Sequence, residues 1–89
     1  MYKIIYSPDA VRDLDELDRV LRTRILKKLA WFAVQNDPLA FAKKLEGQWG
    51  AAYRFRVGDY RIIFEVGKLG KIQILSIIRV QHRKEVYGL

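Results

Sequence analysis

The chain has 89 residues, one histidine and no cysteine, a length that predicts one domain over residues 1–89 and a composition that excludes disulfides and any ordinary zinc site. With no other metal or cofactor motif in the chain, neither a metal nor a cofactor is expected. No apolar run approaches the roughly 18–20 residues of a membrane helix, and the N-terminal apolar stretch is too short for a signal peptide, so a cytoplasmic protein without membrane contact is expected. Seventeen Lys and Arg against ten Asp and Glu give a charge of +7, which favours nucleic acid, an anionic surface or an acidic protein as partner.

In chain order, Tyr2–Tyr6 reads as a short strand. Ser7 then suits a helix N-cap, Pro8 the first helical position, and Asp9 the positive end of the helix dipole. Ala10, Leu14 and Leu17 recur at helical spacing. Asp18 is placed to cap a second helix, in which Leu21, Ile25, Leu29 and Phe32 form one apolar stripe. Arg19, Arg22, Arg24, Lys27 and Lys28 lie between the apolar positions. Asn36-Asp37-Pro38 ends that helix, and Leu39–Leu45 reads as one or two further helical turns stopped by Gly47. Alternation of apolar and polar residues then marks strands over about 51–57 and 60–66, joined by the two-residue turn Gly58-Asp59. "GKLG" at 67–70 reads as another turn. Residues 71–80 are apolar on both sides, as in a strand covered on both faces. The tail from Gln81 is short and polar, with room for one helical turn.

The implied fold is α+β: a four-stranded antiparallel or mixed sheet in the order β-α-α-β-β-β, with two N-terminal helices packed on one face and a short C-terminal helical turn. Tyr53, Phe55, Ile62 and Phe64 face the helices. Arg54, Arg56, Arg61 and Ile63 share the other, incompletely covered face. The two-residue turn sets Arg56 directly opposite Arg61, and like charges so placed destabilise a sheet. An anion on that face resolves the conflict, because guanidiniums bind phosphate bidentately. The alternative is a solvated face with its long side chains splayed apart.

Other chemistry finds little support. Gly67 and Gly70 do not make a phosphate loop, and Ser7 and Ser76 lack a triad around the single histidine. Asp9, Asp13, Asp15, Glu16 and Asp18 read as the solvated face of one acidic helix. The remaining candidates are cationic: Arg54, Arg56, Arg61, Arg79, His82, Arg83 and Lys84, followed by Tyr87.

The order strand–helix–helix–three strands, with "LEG" before the hairpin, "YRFRVGDYRIIFEV" within it and "HRKEVY" near the end, resembles the RelE/ParE toxins of type II toxin–antitoxin pairs. The resemblance runs over about residues 2–87. RelE-like members of that family are mRNA interferases that cut messages in the ribosomal A site and so inhibit translation. ParE-like members share the fold, inhibit DNA gyrase and cleave no RNA. The resemblance implies a metal-independent endoribonuclease with Arg61, Arg83, Tyr87 and His82 as catalytic residues and Arg54, Arg56, Arg79 and Lys84 on the RNA. Its implied partners are the ribosome with its mRNA and a small antitoxin with an extended, often acidic wrapping segment. A gyrase inhibitor and a simple nucleic-acid-binding domain are the alternatives.

Two departures bear on the roles. Relatives often have lysines where Arg54 and Arg56 stand, one of them proposed as general base, whereas a guanidinium is a poor base. Gln81 occupies a position usually held by glycine, which leaves Arg79 and Arg83 as rivals for one arginine position. Either Tyr87, whose phenolate is favoured by neighbouring cations, or His82 can serve as base or acid in attack of a 2′-hydroxyl on its own phosphate.

Overall fold

Five strands form one mixed sheet in the order β1-β5-β4-β3-β2 in the computed structural model, which describes residues 1–47 and 50–86, with Glu85 and Val86 described for their backbone alone. β1 (Tyr2–Tyr6) runs parallel to β5 (Ile72–His82) at one edge. β4 (Tyr60–Leu69) pairs antiparallel with both β5 and β3 (Tyr53–Val57), and the two-residue β2 (Lys43–Lys44) closes the other edge. Two helices, α1 (Pro8–Asp15) and α2 (Arg19–Ala33), follow β1. A four-residue turn of helix, α3 (Arg83–Val86), follows β5.

The helix starts follow from their caps. Ser7 Oγ accepts from the Ala10 N–H at 3.0 Å and donates to the Ile78 carbonyl at 2.7 Å, so one hydroxyl starts α1 and ties it to the sheet. Asp18 accepts from the Leu21 N–H at 2.9 Å and starts α2. Both helices then bury one stripe against one side of the sheet. Ala10, Leu14, Ile25, Leu29 and Phe32 meet Phe55, Ile62, Phe64, Leu75, Ile77 and Val80 there. At the centre, the Phe55 ring stacks on Phe32 at 3.9 Å and on Phe64 at 4.2 Å between centroids, with both Phe55 and Phe64 wholly buried.

The α+β class, the helix pair on one face and the hairpin register are as expected; four details differ. The sheet has five strands rather than four, because Leu39–Leu45 does not continue as helix. A 3-10 turn over Pro38–Phe41 gives way to extended backbone at Ala42, and Lys43 and Lys44 then pair with Arg54 and Tyr53. "GKLG" is not a turn: β4 continues through Leu69, and the reversal falls on Gly70-Lys71, where Gly70 takes φ 63°. Gly58 opens the other hairpin turn at φ 58°. Glycine first with positive φ is the type II′ signature, whose twist matches that of the flanking strands. β5, expected to be covered on both sides, is closed only toward the helices; on its other side Ile72 is 46% exposed and Ile5 of neighbouring β1 is 52% exposed.

The fourth difference concerns α1. Asp13 is no solvated acid. Its Oδ2 accepts from the Val80 N–H at 2.8 Å and from Arg79 Nε at 2.9 Å, while Oδ1 accepts from the same guanidinium at 3.1 Å. β1 stops pairing at Ile77, so β5 has a free edge beyond that point. Asp13 supplies the acceptor that the missing strand would have offered.

Candidate nucleic-acid interface

The turn at Gly58-Asp59 fixes the parity of everything around it. Arg56 is paired with Arg61, Phe55 with Ile62 and Arg54 with Ile63. Arg54, Arg56 and Arg61 therefore share the sheet face opposite the helices, as the sequence pattern requires. Arg54 and Arg61 are half-buried and each is engaged by other groups of the protein, while Arg56 is exposed. Arg54 and Arg61 are therefore not splayed into solvent.

The strand pairings extend the cluster into two rows. One runs Lys43–Arg54–Ile63–Arg79 and the other Arg56–Arg61–Gln81. Directly paired residues hold their Cβ atoms about 4.5–5.5 Å apart, so Lys43, Arg54, Arg56, Arg61, Arg79 and Gln81 occupy adjoining positions across β2–β5. Lys43 is the residue that sequence reasoning missed. It joins the face only because two residues of an apparent helical turn become an edge strand.

Arg79 reaches its row through a bulge. Leu75 and Ile77 point into the core, and the same alternation would send Arg79 there too. The register slips so that Phe64 pairs with Ile77 and Ile63 with Arg79, leaving Ile78 as the extra residue. Parity reverses, Val80 enters the core at 4% exposure, and Arg79 turns outward. Its guanidinium is then taken by the bidentate pair with Asp13 at the sheet edge. The run Leu75, Ile77, Val80, with its switch from odd to even apolar positions, is the signal from which the bulge was readable.

Ile63, expected to be exposed on the cationic face, is wholly buried. Its row neighbours are the half-buried Arg54 and Arg79, and long arginine stems shield apolar neighbours while their heads stay in water. The exposed apolar residues on that side lie at the other end of the sheet: Ile5, Leu69 and Ile72.

His82 is not among the arginines. It pairs with Tyr60, whose ring packs against the core, and the two rings meet edge to face at 5.2 Å. Its Nδ1 accepts from the Lys84 N–H at 3.2 Å, at the start of α3. Arg83 is tied to the hairpin by its backbone, since its N–H donates to the Asp59 carbonyl at 2.9 Å. That bond holds the start of α3 beside the turn that leads into Arg61. The side chains of Arg83 and Lys84 are exposed. Tyr87 lies outside the described residues. Among the described residues no cluster of three His, Asp or Glu side chains suits a metal ion, and no helix is long and apolar enough to cross a membrane.

A family model described as the ParE toxin of the type II toxin–antitoxin system, parDE, matches residues 4–87. No curated protein matches in sequence. Among solved structures, the chain is similar to one from the RelB–RelE antitoxin–toxin complex of Methanococcus jannaschii, at 32% identity over 93% of this chain and 94% of that one, with a TM-score of 0.65. It is similar to one from the archaeal RelE–RelB complex of Pyrococcus horikoshii OT3, at 29% identity over 92% and 94%, with a TM-score of 0.70. It also matches one from the toxin–antitoxin complex RelBE2 of Mycobacterium tuberculosis, at 28% identity over 92% and 98%, with a TM-score of 0.67.

Proposed function

This chain belongs to the ParE toxin family of type II toxin–antitoxin systems, within the RelE/ParE superfamily, and from that premise we propose that it acts as a ribosome-dependent endoribonuclease on mRNA. The observation that carries the reading is the register that gathers Lys43, Arg54, Arg56 and Arg61 on one face, with the start of α3 fixed beside it. Such a face suits a phosphodiester. A 2′-hydroxyl attacks its adjacent phosphorus, the bond to the 5′ oxygen breaks, and the products are a 2′,3′-cyclic phosphate and a free 5′-hydroxyl. Charge builds on the phosphorane oxygens, and prearranged guanidiniums stabilise it there without reorganising.

Arg61 and Arg83 take that stabilising role. Lys43, Arg54, Arg56 and Lys84 hold the strand. Arg79 is drawn off by Asp13, which favours Arg83 for the disputed arginine position. His82 faces Tyr60 rather than the arginines, which leaves Tyr87 as the group that moves the proton. The ribosome supplies the alignment of the 2′-hydroxyl, so the isolated protein acts weakly on free RNA. The antitoxin partner is read from the RelB–RelE complexes this chain resembles. Its acidic segment covers the cationic rows, and its apolar residues cover Ile5, Leu69 and Ile72.

The matched family model is that of ParE, and this favours a second reading as a gyrase-binding toxin without catalysis. In vitro translation with primer extension on the message separates the two. The nuclease reading expects cuts at ribosome-bound codons, 5′ fragments ending in cyclic or 3′ phosphate, and persistence in EDTA at concentrations that leave ribosomes intact. Folded protein that leaves ribosome-bound message intact while cells still arrest would establish the second reading.

A further inference from the structure

Helix α2 carries a second row of cations that the sheet-face site does not use. Arg24, Lys27, Lys28 and Trp31 stand at i, i+3, i+4 and i+7, one stripe of the helix. All four are exposed, yet they share one concavity. With Arg56 and Gly58 of the hairpin they line a groove of about 660 Å³ between α2 and the edge of the sheet. Arg24 is drawn close to the turn: its guanidinium lies 3.5 Å from where a Cβ on Gly58 would sit. Lys28 is held from the other side, with its Nζ 4.3 Å from the centre of the Trp31 ring and 5.4 Å from that of Phe32. Trp31 is in turn braced edge-on by Phe41 at 5.1 Å, yet remains 43% exposed. The ion pairs among the described residues are Arg12 with Asp9 and Arg79 with Asp13, so no described carboxylate answers the groove's four cations.

Four like charges around one concavity sum to a positive potential that attracts an anion. A single carboxylate is a poor match. Arg24 and Lys28 are about 6 Å apart along the helix axis, a separation that suits successive charges on a polyanion. Arg56 supplies the direction, because it belongs to the sheet-face row and to the groove wall at once.

We propose that the α2–hairpin groove is a second phosphodiester-binding site, which takes the same RNA strand as it leaves the sheet face around Arg56, with Trp31 acting to position Lys28. The identity of the strand rests on the nuclease reading, but the site itself is a matter of equilibrium binding.

The test is anisotropy of a fluorescein-labelled, mixed-sequence oligoribonucleotide of about 16 nucleotides, titrated with free protein over a salt series. Arg24→Ala and Lys28→Ala should each lower the slope of log affinity against log salt by about 0.7, the single-strand value per neutralised phosphate. The double variant should lose about twice that. Trp31→Ala should act like Lys28→Ala, and Trp31→Phe, which keeps an aromatic face for the ammonium, should restore the slope. Far-UV circular dichroism checks that each variant is folded. An unchanged slope in the folded double variant overturns the proposal. So does a variant that keeps its RNA affinity but loses that for a polyglutamate peptide, which would make the groove a docking site for an acidic protein segment. If ribosome-bound message stays uncut while the slopes change as expected, the nuclease reading fails and the groove stands.

Discussion

The two faces of the hairpin formed by β3 and β4 are built from alternate residues of the same strands, and they do opposite work. Phe55, Ile62 and Phe64 are wholly buried on one side. Arg54, Arg56 and Arg61 stand on the other. A one-residue slip would exchange the two sets entirely. The rings make slippage expensive, and this lets the arginines stay opposed at a register their own repulsion would not choose. Packing on one face thus fixes the arrangement of charge on the other. That coupling makes the two faces separable by experiment.

The largest effect should come from the buried side. Phe55→Ala removes the middle ring of the Phe32–Phe55–Phe64 stack and should cost about 3–5 kcal/mol of unfolding free energy. Urea denaturation measures it. A loss below about 1 kcal/mol would mean that the stack is not what fixes the register. On the exposed side, Arg61→Ala should cost translation-coupled cleavage on the order of 100-fold or more, as for loss of one transition-state contact, while ribosome binding falls far less. Equal losses in both would place Arg61 in docking rather than chemistry.

Asp13 blurs the boundary between the faces, because it is a helix residue that serves a strand edge and an arginine together. Asp13→Ala leaves the Val80 N–H and Arg79 without their acceptor and should cost about 1–3 kcal/mol. Asp13→Asn retains one acceptor for the Val80 N–H, so it should recover part of that in the same denaturation assay. If Asn is as damaging as Ala, the charge on Arg79 carries the interaction rather than the cap on β5.

What the sequence disclosed and what it hid follow from range. The hairpin register was legible because Gly58-Asp59 fixes parity locally and alternation on both sides agrees with it. The caps at Ser7 and Asp18 are equally local. Lys43 was hidden because a two-residue strand has no periodicity; pairing with Arg54 and Tyr53 alone makes it extended. Gly67 misled for a related reason: a glycine pair marks a turn, yet Gly67 pairs with Ile74 inside β4 and only Gly70 takes positive φ. Asp13 looked like its acidic neighbours because helical spacing does not reveal where β1 ends and leaves β5 unpaired. Of the expected site, Arg54, Arg56 and Arg61 come together as read, whereas Arg79 and His82 are diverted by contacts 66 residues and 22 residues away in sequence, with Asp13 and Tyr60.

The smallest effect concerns pH and belongs to the buried side of the sheet. Tyr6 lies on β1, packed against the core, and burial raises its phenol above the ordinary value of 10.0. The native state therefore holds this proton more tightly than the unfolded chain does. The contribution is fully present below the unfolded value and is lost as pH rises through the folded one. Unfolding free energy should decline above about pH 10, and Tyr6→Phe, which has no proton to lose, should decline less. The informative quantity is the difference between wild type and Tyr6→Phe, measured by urea denaturation at two pH values on either side of that point. A gap that is the same at both values would mean that the Tyr6 hydroxyl is as well solvated in the native sheet as in the unfolded chain.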